Sequence, residues 1–445
     1  MALGDRRERE SLALAAMPNA TNAAAEEPTQ PAARLAARLA RNAVDSLPVG
    51  ALAKRLEQAA GEGRQLRVKL GIDPTAPDIH LGHAVVLRKL REFQDAGHRV
   101  VLIIGDYTAR VGDPSGRSSL RPMLSAEEID ANAATFQSQA LRILDDDSER
   151  LEVRHNGEWL DMAMAELLAL VRTTTVAQLL ERDDFAKRFR ANEPISLLEL
   201  LYPPLQGYDS VAIDADVELG GTDQKFNLLL ARDIQRAYGK PEQSVLTMPL
   251  LVGIDGTRKM SKSLGNQIGV TDPPQEMFGK AMSIPDEAVG EYRRLLLDDA
   301  GDGSGGKEAG GRSRAGAGES ELSGSSARDA KRALARDLVA WLHSAEDAAA
   351  AEAHFQRVFV SHEAPEEIAD ASFADAVDGD LIHLPRLIAS EFGLSSSEAR
   401  RLIDQGAVTL GEAVVGRGQY DVRSADAEGQ VLKVGKRRFR RLRAA

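Results

Sequence analysis

LRVKLGIDPTAPDIHLGHAVVLRKLREFQDAGHRVVLIIGD, residues 66 to 106, sets the fold. Its first part alternates into a short apolar strand that Pro74 ends. Leu81, Val85, Leu87, Leu90 and Phe93 then recur at near-helical spacing, with Gly97 as the stop. HRVVLIIGD reads as a buried strand running into a Gly-Asp turn. A strand–helix–strand unit implies parallel strands joined by a right-handed crossover.

Further along, EPISLLELLYPPLQGYD (193–209) gives a helix after Pro194, and VAIDADVELGG (211–221) a strand. TDQKFNLLLARDIQRAYG (222–239) gives a helix with Asp223 near its start, and SVLTMPLLVG (244–253) is β-like. Residues 46–270 are thus expected to form an α/β domain around an open, mostly parallel sheet, where ligands sit outside the C-terminal strand ends. Residues 1–45 read as an extension, disordered or partly helical. Residues 271–375 read as helical around a Gly/Ser-rich insert at 301–326, and 380–441 as a small basic module. No internal repeat is found.

The 445 residues allow a sizeable core, and 43% hydrophobic with 28% charged residues is the profile of a globular chain. No run is long and apolar enough to span a membrane, and the N-terminus lacks the apolar core of a secretory signal, so a cytoplasmic location is expected. The absence of cysteine excludes disulfides and thiolate metal sites. A net charge of -12 argues against a general nucleic-acid coat. Yet VLKVGKRRFRRLRAA, residues 431–445, carries seven Lys or Arg and no acid, as a basic tail.

His80 and His83 bracket the start of the first helix. Zinc would need a third ligand, and paired zinc histidines on a helix are spaced i, i+4 rather than i, i+3. One of them packing while the other caps the helix is the bland alternative. Phosphate binding is the third reading. A helix N-terminus offers free N–H groups, Gly82 allows close approach, and imidazole N–H groups can donate to phosphate oxygens. RKMSKSLGN (258–266) decides between them, because Lys259 and Lys262 on a mobile loop can neutralise charge building on a pyrophosphate leaving group. A solvated basic turn is the bland reading of that loop alone.

HLGH at 80–83 and KMSKS at 259–263 together resemble the signatures of class I aminoacyl-tRNA synthetases. More narrowly, the chain resembles the bacterial tyrosyl-tRNA synthetases over about residues 46–441. The resemblance implies a Rossmann-like open parallel-sheet catalytic domain, a helical anticodon-side domain and a small C-terminal α+β RNA-binding domain of the ribosomal-protein type. It implies tyrosine–tRNA ligase activity with ATP as substrate, Mg²⁺ on the phosphates, L-tyrosine and tRNA(Tyr) as partners, and a homodimer.

By the same resemblance, Asp73, Thr75, Gly82 and Ser263 sit beside the nucleotide with the two histidines and two lysines, while Gly221 and Asp223 take the ribose. Tyr202 and Gln206 hold the substrate ammonium with Asp113 of the GDPSG loop, Asp209 accepts from the phenolic hydroxyl, and Gly71 and Gln224 complete that pocket. Positions 202, 206 and 209 share one helix face, and Gln206 and Asp209 would be expensive to bury without partners. No protein-held metal is expected. Arg400, Arg401, Lys436, Arg437 and Arg438 are assigned to RNA phosphates.

One departure stands out. Many members carry a second hydroxyl-reading tyrosine where this chain has Lys69. That leaves Asp209 as the main reader and the role of Lys69 open, with a side chain pointing into solvent as the bland reading. The rivals are a tryptophanyl enzyme, a nucleotidyltransferase acting without tRNA, and a noncatalytic RNA-binding paralogue. Asp209 with Tyr202 argues against the first, KMSKS with the basic module against the second, and the intact signatures against the third.

Overall fold

The computed structural model describes residues 28–75, 77–113, 125–297, 324–360, 368–411, 413–435 and 438–444. The first 27 residues, most of the Gly/Ser insert, and Lys436 and Arg437 lie outside the described residues.

Six strands form the main sheet: β1 (Asp45–Leu47), β2 (Arg67–Ile72), β3 (Arg99–Ile104), β4 (Leu151–His155), β5 (Val217–Gly221) and β6 (Ser244–Met248). Their order is β1-β6-β5-β2-β3-β4. All neighbours are parallel except β1, which pairs antiparallel with β6. β3 shows why this is a central strand. RVVLII is buried on both faces from Val100 to Ile104, as a strand covered by helices on each side must be. β2 leads into β3 on one side, and β5 flanks it on the other, so the topological switch point lies between β2 and β5. A crevice opens at the C-terminal ends of strands at such a point.

Two additions extend the domain beyond its expected start at residue 46. α1 (Gln30–Leu39) packs Ala32, Ala36 and Leu39 into the main core, an i, i+4, i+7 stripe made mostly of alanine and therefore faint in the sequence. β1 closes the sheet edge, with Asp45 taking Lys225 Nζ and Thr247 Oγ1, both at 2.6 Å. α2 (Ala51–Gly61) follows, and α3 (Leu81–Asp95) crosses over from β2 to β3. Gly97, at φ 85°, ends α3 in the left-handed conformation that glycine adopts at no steric cost.

Helices Pro274–Ala281, Val289–Leu296, Gly324–Leu342 and Ala345–Phe355 share a continuous core with the main sheet. The C-terminal unit has its own core. It holds β7 (Asp370–Ser372), β8 (Val377–Asp378), β9 (Leu381–His383), β10 (Val408–Leu410), β11 (Ala413–Val414), β12 (Asp421–Arg423), β13 (Val431–Val434) and β14 (Arg438–Arg443).

Two expectations change here. The unit starts ahead of residue 380, because β7 pairs parallel with β14 and buries Ala371 and Phe373. The basic stretch is also no tail. β13 and β14 form a hairpin inside the five-stranded sheet β11-β10-β13-β14-β7, burying Leu432, Val434, Phe439 and Leu442 between the cations. A period of two is visible only in VLKV, where Leu432 and Val434 face the core; in RFRRLR the buried Phe439 and Leu442 are three apart and lie on opposite faces of the sheet.

Candidate active site

A cavity of about 640 Å³ opens at the C-terminal ends of β2, β3 and β5. Gly71, Asp73, Thr75, His80, Gly82, His83, Asp113, Tyr202, Gln206, Asp209, Gly221, Asp223, Gln224, Lys259, Lys262 and Ser263 all line it. Every residue assigned from sequence to the nucleotide or the amino acid therefore faces one space.

The histidines both cap and line. His80 is the N-cap of α3, and its Nδ1 accepts from Gly82 N at 3.2 Å. His83 Nδ1 accepts from His80 N at 3.3 Å, closing a reciprocal box. The rings lie 3.9 Å apart. Because both Nδ1 atoms accept backbone N–H groups, the ring proton sits on Nε2 in each. Burial lowers the pKa of His80 to about 2, with help from His83 and Lys259. Burial likewise lowers His83 to about 4, against the attraction of Asp223. Both imidazoles are thus neutral donors, and capping and ligand contact are compatible roles for one ring. Gly82 gains a different reason from the one its sequence suggests. A Cβ there would lie 2.9 Å from His80 Cε1, so glycine is what lets the ring fold back over the helix start.

Across the cavity, Lys259 Nζ meets Asp223 at 2.8 Å and Lys262 Nζ meets Asp78 at 2.6 Å. Both pairs are solvent-accessible. The loop bearing them is held at its base rather than free. Buried Asn266 accepts from Ser261 N at 2.8 Å and donates to Asp255 at 3.0 Å and to the Lys259 carbonyl at 3.2 Å.

The end that the sequence assigns to the amino acid is a closed polar network on helix Leu197–Ala212, which Ser196 and Glu199 cap reciprocally. Tyr202 Oη donates to Asp73 Oδ2 at 2.9 Å, and Asp73 Oδ1 accepts from Thr108 Oγ1 at 2.7 Å. Burial, then the charges of Asp73 and Asp113, raise Tyr202 well above its ordinary range, so it is a phenol and a donor. Asp113 accepts from Gln224 Nε2 at 3.0 Å and from Arg182 at 3.5 Å. Asn227 joins Gln206, Gln224 and Arg182 at 2.8, 3.0 and 3.0 Å. Asp209, buried at the far end, accepts from Trp159 Nε1 at 2.8 Å and Asn156 Nδ2 at 3.5 Å. Burial pushes its pKa up to about 6, while Lys69, Trp159 and Asn156 pull it back and Glu218 pushes it up.

Lys69 is a correction. Instead of facing solvent it is fully buried, with Nζ 2.8 Å from Glu218 Oε1. Its register partners in the sheet are Val101 on one side and Glu218 on the other, so sheet pairing delivers the counter-ion. Sequence reasoning also missed Asn156, Trp159, Arg182 and Asn227. The first two follow β4, and reading LEVRH as a parallel strand would have pointed to its C-terminal end. For Arg182 and Asn227 the contacts that bring them into the pocket, to each other, Asp113 and Gln206, come from separate segments, so no local signal marks them.

On the C-terminal unit, Arg400 stacks its guanidinium over Tyr420 with 5.7 Å to the ring centroid, and Arg401 lies 3.8 Å from Glu398. Arg438 is exposed at the start of β14.

Switch-point cavity, neutral histidines at a helix start and facing lysines define a class I nucleotide-activating site of the aminoacyl-tRNA synthetase kind. Residues 61–360 match the family described as tRNA synthetases class I (W and Y), and the chain belongs to that family. It is similar to the tyrosine–tRNA ligase of Moorella thermoacetica, 48% identical over 93% of this chain and 96% of that one. It is 48% identical to the Thermotoga maritima tyrosine–tRNA ligase over 91% and 96% of the two chains. For the Bordetella avium tyrosine–tRNA ligase the figures are 45%, 95% and 99%. Among solved structures, an Archaeoglobus fulgidus tyrosyl-tRNA synthetase complexed with L-tyrosine shares the fold. The TM-score is 0.53 and identity 24%, covering 72% of this chain and 99% of that one.

Proposed function

We propose that the chain is a tyrosine–tRNA ligase, and that Asp209 is the group that selects tyrosine. A buried carboxylate at the closed end of the pocket, already held by Trp159 and Asn156, carries this reading. Phenylalanine would leave that acceptor unpaired, which is the strong form of substrate rejection; discrimination against phenylalanine by an enzyme of this type is a standard illustration of the principle. The relatives of matching length, all tyrosine–tRNA ligases, support it.

In the first half-reaction the tyrosine carboxylate attacks the α-phosphorus of ATP. The bond to the bridging oxygen breaks and pyrophosphate leaves. The substrate brings its own nucleophile, so the protein supplies position and charge stabilisation. Gln206, Tyr202 and Asp113 hold the ammonium. His80 and His83 donate through Nε2–H to phosphate oxygens as neutral groups, and Lys259 and Lys262 leave Asp223 and Asp78 to neutralise the departing pyrophosphate. Asp223 and Gly221 then receive the ribose, beside Asp73, Thr75, Gly82 and Ser263. In the second half-reaction a hydroxyl of the tRNA's terminal ribose attacks the acyl carbon and AMP leaves.

Among the described residues, no group of three or more His, Cys, Asp or Glu side chains is arranged to hold a metal. Mg²⁺ would enter as a companion of ATP, where it would supply positive charge to the phosphates. The C-terminal unit with Arg400, Arg401 and Arg438 is assigned to tRNA. A homodimer is supported by Met164, Leu168, Val176, Phe189 and Leu197, large apolar side chains that are all more than half exposed within one stretch of chain. Among the described residues no helix is long and apolar enough to cross a membrane. The cytoplasm, where tRNA and ATP are available, is the proposed location.

ATP–pyrophosphate exchange driven by single amino acids tests the reading. Tyrosine alone should support it. Exchange with tryptophan only, or with no amino acid, would sink it.

A further inference from the structure

Lys69 and Glu218 lie side by side on β2 and β5, Glu218 lining the cavity and Lys69 behind its wall. Both side chains are buried. Lys69 Nζ also donates to Ser210 Oγ at 2.8 Å and to the Gln206 carbonyl at 3.0 Å. The second oxygen of Glu218 accepts from Ser210 Oγ at 3.2 Å and from Gln243 Nε2. Adenylate chemistry gives this pair no task. Stability does not require it either, since well-packed apolar residues often serve as well as a buried ion pair.

Its location supplies a task. Gln206 and Ser210 flank Asp209 on one turn of helix, so Lys69 grips the turn that carries Asp209. Asp209 and Glu218 both line the cavity. Two buried carboxylates beside one ammonium leave a single unbalanced negative charge facing the substrate.

We propose that Lys69 is a positioning residue for tyrosine selection: clamped by Glu218, it fixes the Asp209 turn and keeps Asp209 an acceptor for the substrate hydroxyl. This rests on the role given to Asp209 above. The groups facing Asp209 are Lys69 from β2, Glu218 from β5, Asn156 and Trp159 beyond β4, and Tyr202 on its own helix. Of the two members of the pair, Lys69 exerts the larger pull on Asp209 and Glu218 the smaller, opposite push.

The test compares wild type, Glu218→Gln and the double variant Lys69→Met/Glu218→Gln. For each, kcat/KM for tyrosine in pyrophosphate exchange is followed between about pH 5.5 and 9, with KM for ATP alongside. Glu218→Gln keeps the ammonium and removes a competing acid, so the acid limb should move to lower pH. The double variant removes both, so the limb should move to higher pH. The preference for tyrosine over phenylalanine at pH 6.5 should then fall about tenfold, with KM for ATP unchanged. A merely structural pair predicts losses without opposite shifts. Limbs that stay put, or move in the same direction, in variants with cooperative thermal melts overturn the proposal. Where the double variant does not fold, Glu218→Gln alone decides, and an unmoved limb overturns it. Failure of the Asp209 reading is distinguishable, because Asp209→Asn would then keep the wild-type preference for tyrosine over phenylalanine.

Discussion

Asn227 offers the sharpest test of how the amino-acid pocket is held. It is buried, and its amide joins three partners: Nδ2 donates to Gln206 Oε1 and Gln224 Oε1, and Oδ1 accepts from Arg182. Gln224 cannot turn its amide over without losing Asp113, so its oxygen must face Asn227. A buried neutral hydrogen bond contributes about 0.5–1.5 kcal/mol net, and one to a charged group about 1.5–3. Asn227→Ala removes two of the first kind and one of the second. Stability should drop by about 3 kcal/mol once water refills part of the space. The share expressed in binding is the two neutral bonds that aim Gln206 and Gln224. That is about 1–3 kcal/mol, or a rise in tyrosine KM of roughly 5- to 150-fold.

Asn227→Asp separates the two effects. It keeps an acceptor for Arg182 but turns the shared donor into a second oxygen facing two amide oxygens. Tyrosine KM in pyrophosphate exchange should rise at least as far as in the alanine variant, while urea titration shows the smaller stability loss. KM for ATP should hold within about twofold in both. An aspartate variant that binds tyrosine like wild type, or equal rises in both KM values, would refute the reasoning.

Further outcomes follow from the same geometry. Asn at position 83 mimics the capping Nδ1 but not the Nε2–H donor, whereas Gln places a donor near Nε2. His83→Asn should therefore melt like wild type yet lose roughly 10²–10³ in exchange kcat, with His83→Gln retaining more; equal losses would argue against Nε2 donation. His80 and His83 stay neutral in the fold, while the unfolded chain protonates them below about pH 6.5. Their contribution to stability is complete above that pH and is lost as pH falls, down to about 4 for His83 and about 2 for His80, and thermal melts of His83→Asn should show a shallower decline. Lys262→Ala should cut kcat with little change in tyrosine KM. Asp78→Asn, which removes only an exposed ion pair, should change ATP KM by less than about threefold. Charge reversal at Arg400 and Arg401 should weaken tRNA charging and flatten its salt dependence while pyrophosphate exchange is untouched.

What the sequence disclosed follows the range over which each interaction acts. His80, Gly82 and His83 sit within one turn, and the α3 periodicity that positions them is local, so both motif and element were legible. Tyr202, Gln206 and Asp209 share a face because a helix has a fixed pitch, and that too needs no tertiary knowledge. α1 was obscured by its alanine stripe, and β14 by a charge density that reads as solvated, with its two buried residues, Phe439 and Leu442, three apart and so on opposite faces.

Lys69 marks the limit of such reading. A charged residue in a strand is ordinarily placed outside, because burying an ammonium without a partner is prohibitive. The inference fails only when a partner exists, and here it lies on β5, far along the chain. Nothing near position 69 announces Glu218, and nothing near 218 announces Lys69. Strand order and register create the pair together: β2 must neighbour β5, and Lys69 must stand opposite Glu218 rather than one residue either way. A shift of one residue would turn one of the two charges to the other face of the sheet. The pair therefore selects a register as well as a charge state.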